Sequence, residues 1–333
     1  MAVSIVLFHF TLWLIPNLNS NNVICRLGIY GVSTFYVLSG LSLAIVYDSV
    51  ITHLKEVRGF YIKRILRILP LVWLATTCVL ILNIITKGKQ PCLYDIFLNY
   101  TTLFGFIAPD HYISAGAWSI GNEMVFYSVT PLLLLLYKKN KRIGNLFVLF
   151  QWLIAAAISY FFLFSNKTIV TQWSVYINPF NQFYLFSSGI MLYYNFSTLK
   201  ITNSILFILL FFVVLTFVLI PSGVDRITLV MGWNRIIFSL LSTLLVFFFW
   251  KFDFNLSLKL AQFLSTLGIV SYGIYLLHPL VLQSVDYVLS EIHFYNSYLA
   301  IAITIPLTFV ISRLSYQYYE KIFINMGKQL SVN

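Results

Sequence analysis

Ten stretches of this chain are apolar for close to twenty residues each, and that succession limits its fold more than any single motif does. They cover about 1–15, 29–48, 65–86, 117–137, 146–164, 180–196, 202–220, 233–250, 268–290 and 297–319. At about 1.5 Å per residue, a helical run of this length matches a hydrocarbon core of about 30 Å. Backbone polar groups in lipid must be satisfied within the segment, which a helix does and an isolated strand does not. The sequence predicts an all-α polytopic membrane protein of about ten transmembrane helices, one domain over 1–333, with no soluble domain. The first run is short for a full crossing. The stretch 93–108 is interrupted by Asn99, Gly105 and Pro109. With its flank, 93–116, it reads as a re-entrant or interfacial piece of a long outer loop.

Composition excludes several classes. Of 333 residues, 60% are hydrophobic and 9% charged, against about 25% charged in a soluble domain, and the mean hydropathy is +0.88. A net charge of +11 would suit nucleic acid, but the cations sit in short loops between apolar runs, where membrane topology explains them. With the N-terminus inside, the inner segments hold fourteen: Lys55, Arg58, Lys63, Arg64, Arg67, Lys138, Lys139, Lys141, Arg142, Lys200, Lys251, Lys259, Lys321 and Lys328. The outer loops hold five: Arg26, Lys87, Lys89, Lys167 and Arg226, while Arg235 and Arg313 fall within spans. That asymmetry predicts both termini inside and no nucleic-acid partner. The first run has no basic lead-in and no small-residue cleavage site, so it is not a cleavable signal. Three cysteines lack metal-ligand spacing. Cys78 reads as a small hydrophobe, while Cys25 and Cys92 fall in outer loops where a disulfide is open to them.

Four constellations carry groups able to do chemistry. His9 lies in the first apolar run, where an ionisable side chain is costly and usually functional, and imidazole exchanges protons near neutral pH. Glu123, in Trp118-Ser119-Ile120-Gly121-Asn122-Glu123-Met124-Val125-Phe126-Tyr127, lies about 9 Å inside the fourth span, at about the depth of His9. The two are therefore expected to pair, the carboxylate orienting the ring; the alternative is that Glu123 only bonds a neighbouring helix. Lys63, Arg64 and Arg67 belong to a basic run where the third span begins. Arg64 and Arg67 share a helix face, and a helix N-terminus favours phosphate. Cytoplasmic anchoring explains the run equally. His278, followed by Pro279, is a second intramembrane imidazole, either a ligand contact or a packed histidine bonded to backbone that the proline frees. In Gly31-Val32-Ser33-Thr34-Phe35-Tyr36-Val37-Leu38-Ser39-Gly40 the small residues permit close helix contact, and Ser39 has the option of lining a cavity.

Taken together, these segments resemble the acyltransferase-3 family of bacterial integral-membrane acyltransferases. The resemblance is carried by the His9 helix, Phe35–Gly40, Lys63-Arg64-Ile65-Leu66-Arg67-Ile68-Leu69-Pro70, Trp118-Ser119 with Glu123 and Phe126-Tyr127, and Ser271-Tyr272 through Tyr275-Leu276-Leu277-His278-Pro279. Tyr319-Glu320-Lys321 is similar to the family's Glu-Lys-Pro ending, with Ile322 in place of proline. The resemblance implies O-acetylation: transfer of an acetyl group from cytoplasmic acetyl-CoA to a sugar hydroxyl of a surface polysaccharide, such as O-antigen of lipopolysaccharide, capsule or exopolysaccharide. The acceptor would be undecaprenyl-linked or polymeric, the location a bacterial inner membrane, and no metal is expected. His9 matches the catalytic histidine, with Glu123 as its partner. Arg64 and Arg67, with Lys63, match the basic motif for the CoA phosphates. Ser39, Trp118, Tyr127, Tyr275 and His278 fall to substrate contact. The family's histidine is normally preceded by an arginine eleven residues earlier, which His9, with eight residues before it, lacks. The expectation is a true start upstream of Met1 with a truncated first helix here, or a degenerate copy. A polysaccharide polymerase, flippase or transporter of the same pathway is the alternative. Those would show large arginine-bearing outer loops or paired broken helices, and neither pattern is seen.

Overall fold

The computed structural model describes residues 1–53 and 56–331; Lys55, counted above among the inner cations, lies outside the described residues. The chain is helical throughout, with no strand among the described residues. The helices are α1 (Ala2–Leu14), α2 (Val23–Tyr47), α3 (Val57–Ile85), α4 (Leu93–Thr101), α5 (Phe104–Ile107), α6 (Ala117–Lys139), α7 (Lys141–Phe161) and α8 (Trp173–Tyr176). They continue as α9 (Phe183–Phe196), α10 (Asn203–Leu219), α11 (Ile227–Val230), α12 (Gly232–Lys251), α13 (Leu258–Glu291), α14 (Ser297–Ser315) and α15 (Lys321–Leu330). A π-helical turn at Tyr316–Glu320 joins the last two.

Among the described residues, seven helices are long and apolar enough to cross a membrane: α2, α3, α6, α7, α12, α13 and the continuous Ser297–Leu330. The other three expected spans are shorter, at 13 residues in α1, 14 in α9 and 17 in α10. α10 stops at Leu219, just before Ile220-Pro221, because a residue preceding proline is pushed out of the helical region. On the surface of α7, Leu146, Leu149, Phe150 and Leu153 are exposed, as are Phe207, Ile208, Phe211 and Phe212 of α10. Apolar faces this continuous are not left in water. The chain is a helical membrane protein.

Helix starts differ from the hydropathy reading wherever a charge finds a partner. α2 begins at Val23, where the Asn22 side chain accepts from the Ile24 amide at 2.8 Å, and so takes in Cys25 and Arg26. Arg26 does not sit in an outer loop. It is 2% exposed and donates to the carbonyls of Ser20, Phe217 and Val218 at 3.2, 2.8 and 2.7 Å. Cys25 is buried in the same helix and all three cysteines are free, so the Cys25–Cys92 disulfide is not formed. α3 begins at Val57 and α13 at Leu258, about two and three turns earlier than apolarity alone indicates.

α2 is the centre of the bundle, and small residues let its neighbours close on it, as expected from its sequence. A Cβ on Gly40 would stand 1.9 Å from the Phe186 carbonyl oxygen, and one on Gly189 of α9 would stand 2.0 Å from that of Val37. On the opposite flank, Gly28 and Gly31 receive Phe8 and Ile5 of α1, which seats the short first helix and fixes His9. Residues 93–116 form α4, α5 and a tied loop. The Asn99 side chain donates to the His111 carbonyl and accepts from the Ile113 amide, at 2.8 and 2.9 Å. His111 Nδ1 lies 2.7 Å from Asp95, and this contact holds the Asp95 carboxyl below the usual carboxylate range.

Candidate active site

α1 and α13 bring the two intramembrane histidines together. His9 Nδ1 lies 3.2 Å from His278 Nε2, and His278 Nδ1 lies 3.0 Å from the Ile274 carbonyl oxygen. A carbonyl only accepts, so His278 carries its hydrogen on Nδ1 and, as a neutral ring, offers the Nε2 lone pair. His9 must then donate from Nδ1, which leaves the lone pair on His9 Nε2 free. The order carbonyl, imidazole, imidazole selects one tautomer, as an orienting group does for any histidine base. Local sequence makes this possible. Pro279 has no N–H for the Tyr275 carbonyl, which loosens the turn that His278 bonds, while α13 remains one helix. His278 is 1% exposed. It packs behind His9, bonded to backbone, and lines neither of the cavities described below.

Two cavities meet beside this pair. One, of about 410 Å³, is lined by His9, Tyr112, Trp118, Trp173, Tyr176 and Arg226, with Tyr275 at its edge. The other, of about 340 Å³, is lined by Ser39, Arg64, Arg67, Ser119, Glu123, Tyr127 and Tyr272, again with Tyr275. Val32 and Tyr275 line both. The Tyr275 hydroxyl donates to the Gly116 carbonyl at 2.9 Å and lies 2.8 Å from Ser119 Oγ. Gly116 has φ of +85°, and a Cβ there would lie 3.3 Å from the tyrosine ring. Only glycine accepts both that backbone and that approach.

The expected His9–Glu123 pair is not formed. Glu123 accepts from the Tyr127 hydroxyl one turn along its own helix, at 3.0 Å, and faces the arginine cavity. The contact between Ser119 and Tyr275 sets the register of α6 against α13. From it, Glu123 lies four residues along α6 in one direction and His278 three residues along α13 in the other, about 10 Å apart along the bundle. Similar depth along each helix did not imply adjacency.

The basic run also differs in one respect. Arg64 and Arg67 stand two and three turns inside α3 rather than at its N-terminus, so free helix N–H groups do not contribute. Both guanidinium groups line the cavity. Arg64 donates to the Tyr47 hydroxyl at 3.1 Å and lies 5.1 Å from that ring's centroid, while its buried Nε has no partner. No ion pair engages either arginine among the described residues. Lys63 does not line the cavity; its Cα lies near Gly327 of α15. Ser39, 3.4 Å from the Tyr127 hydroxyl, lines the arginine cavity with Tyr127, and Trp118 lines the histidine cavity.

Several lining residues had no signal in the sequence. Trp173 and Tyr112 come from loops without periodicity, and reach one another through a Trp173 Nε1–Tyr112 Oη bond of 2.9 Å. Arg226 was counted only as a loop charge. Ser119 and Tyr272 sit in recognisable segments, but which way they face depends on helix packing.

A family model described as an acyltransferase domain, the acyltransferase-3 model, matches residues 1–316. A predicted acetyltransferase of Acidianus two-tailed virus is 27% identical over 246 residues, 68% of this chain and 66% of the viral protein. The match thus spans just under two thirds of that relative. No solved structure matches the chain. With the model covering nearly the whole length, the chain belongs to the acyltransferase-3 family.

Proposed function

We propose that this protein is a multi-pass O-acetyltransferase of a bacterial inner membrane that moves an acetyl group from acetyl-CoA to a sugar hydroxyl of a surface polysaccharide. The observation that carries the reading is that His9, bonded to His278, lines one cavity while two guanidinium groups outside any ion pair among the described residues line the other. In this reading the chain crosses about ten times with both termini inside. α1, α9 and α10 complete the count as short or protein-surrounded crossings. CoA phosphates enter from the inner side to Arg64 and Arg67, whose unpaired donors suit phosphate oxygens. The acceptor enters the histidine cavity from the outer side.

The thioester arm reaches past Tyr275 to the junction. His9 Nε2 takes the proton of the sugar hydroxyl as its oxygen attacks the thioester carbon. The tetrahedral intermediate collapses with loss of the CoA thiolate, which receives that proton from His9. Ser119 and Tyr275 bond one another and the Gly116 carbonyl at the junction, and so hold its shape. His278 transmits the carbonyl dipole of Ile274 to His9, and holds the ring rather than touching substrate.

Purified protein given acetyl-labelled acetyl-CoA and a polysaccharide or lipid-linked glycan acceptor is expected to place label on sugar, with NMR locating the ester. Absence of an ester together with unaltered acetyl-CoA would refute the reading. His278→Phe is expected to lower kcat about 100-fold, within the range of general-base catalysis, with both KM values held within about threefold. His278→Gln, whose amide oxygen accepts from His9 Nδ1, recovers part of the loss. A Phe variant that changes KM and leaves kcat alone would make His278 a packing residue only.

A further inference from the structure

We infer that Arg226 selects an acceptor bearing an anionic group, a carboxylate or phosphate, beside the hydroxyl that is acetylated. This rests on the reading of the histidine cavity as the acceptor site. Arg226 is the one cation lining that cavity, and no Asp or Glu lines it. Among the described residues its guanidinium makes no hydrogen bond or ion pair. The adjacent carboxylate, Asp225, forms no ion pair with it among the described residues and accepts from the Ile227 amide at 2.9 Å. The other two arginines near this end do not line the cavity. Arg26 is bonded to backbone carbonyls, and Arg235 is enclosed by Tyr30, Tyr176 and Tyr184, with centroids at 5.9, 5.5 and 5.5 Å.

The rest of the cavity suits a sugar. Trp118 and Trp173 meet edge to face with centroids 5.6 Å apart, forming an aromatic wall for the C–H face of a pyranose. His9 lies on the same lining. A ring held on that wall presents a hydroxyl to His9 and its charged substituent to Arg226, whose planar fork matches carboxylate and phosphate oxygens. Outer-leaflet headgroups carry the same phosphate chemistry, so the test separates the two sources.

The full chain in dodecyl maltoside, which has no phosphate, is given labelled acetyl-CoA with methyl glucoside, methyl glucuronide or glucose 1-phosphate. The two charged acceptors are expected to exceed the neutral one in kcat/KM by about tenfold or more, the value of a charge-assisted contact. Arg226→Gln removes that preference by slowing the charged acceptors, and Arg226→Lys keeps part of it. Equal use of all three by the wild type, or an equal fall for all three in Arg226→Gln, overturns the inference while leaving acetyl transfer standing. If none of the three is acetylated, the proposed function is judged on its polymeric or lipid-linked acceptor, and quenching of tryptophan fluorescence decides the inference alone. Tighter binding of the charged sugars to wild type than to Arg226→Gln supports it; equal binding overturns it. A preference that survives in phosphatidylglycerol nanodiscs assigns the charge to the acceptor, and one abolished there assigns Arg226 to headgroup phosphate.

Discussion

His9→Ala is expected to lower acetyl transfer by about 10²–10⁴-fold, the range of a positioned general base, while expression, membrane insertion and acetyl-CoA affinity remain those of the wild type. The selectivity follows from geometry. His9 lines the cavity that does not contain Arg64 and Arg67, so its removal leaves the anchor for the CoA phosphates untouched. His9→Gln is expected to be equally inactive, because an amide has no lone pair basic enough to take a hydroxyl proton. Initial rates over a range of both substrates, with monodispersity checked by gel filtration, give the measurement. An Ala variant within tenfold of wild type would remove His9 from the chemistry and turn the His278–His9 contact into a packing feature.

Arg64→Ala combined with Arg67→Ala is expected to weaken acetyl-CoA binding by about 10²–10⁴-fold, with kcat at saturation changed by less than tenfold. Each lost charge-assisted bond is worth about 1.5–3 kcal/mol, and every 1.4 kcal/mol is about tenfold in affinity. Binding to the wild type is expected to weaken as salt rises, and that dependence to flatten in the double variant. Lys63→Ala, which changes a residue that does not line the cavity, leaves affinity within about twofold. Isothermal titration with acetyl-CoA tests all three at once. An unchanged dissociation constant in the double variant would make the arginines membrane anchors. A Lys63→Ala loss as large as that of either arginine would remove the cavity as the determinant.

Much of this was legible in the residues. Apolar runs separated by basic loops predicted a helical membrane protein, and the described residues include seven helices of crossing length. The glycines of α2 were expected at close contacts and are found there. Each group that carries the proposed chemistry, except Arg226, Ser119 and the loop aromatics, stood out as polar within an apolar segment. What misled was treating charge as a boundary. Arg26, Arg64 and Arg67 lie inside helices because Arg26 finds carbonyls, Arg64 finds a tyrosine, and both α3 arginines open onto a cavity. Hydropathy registers only their cost in lipid.

His9 shows where the sequence stops. Its own helix gave its depth, and periodicity along each segment gave which residues share a face. Neither specifies which faces of two distant helices meet, or how far one slides along the other. The Tyr275–Ser119 contact and the glycine seats on α2 decided both, turning His9 toward His278 and placing Glu123 about 10 Å away on the far side of Tyr275. The sequence by itself determined the helices and the ionisable groups they carry, because those depend on local apolarity and backbone hydrogen bonding. Only the tertiary structure decided that one imidazole orients the other, because that pairing rests on contacts between residues 269 positions apart.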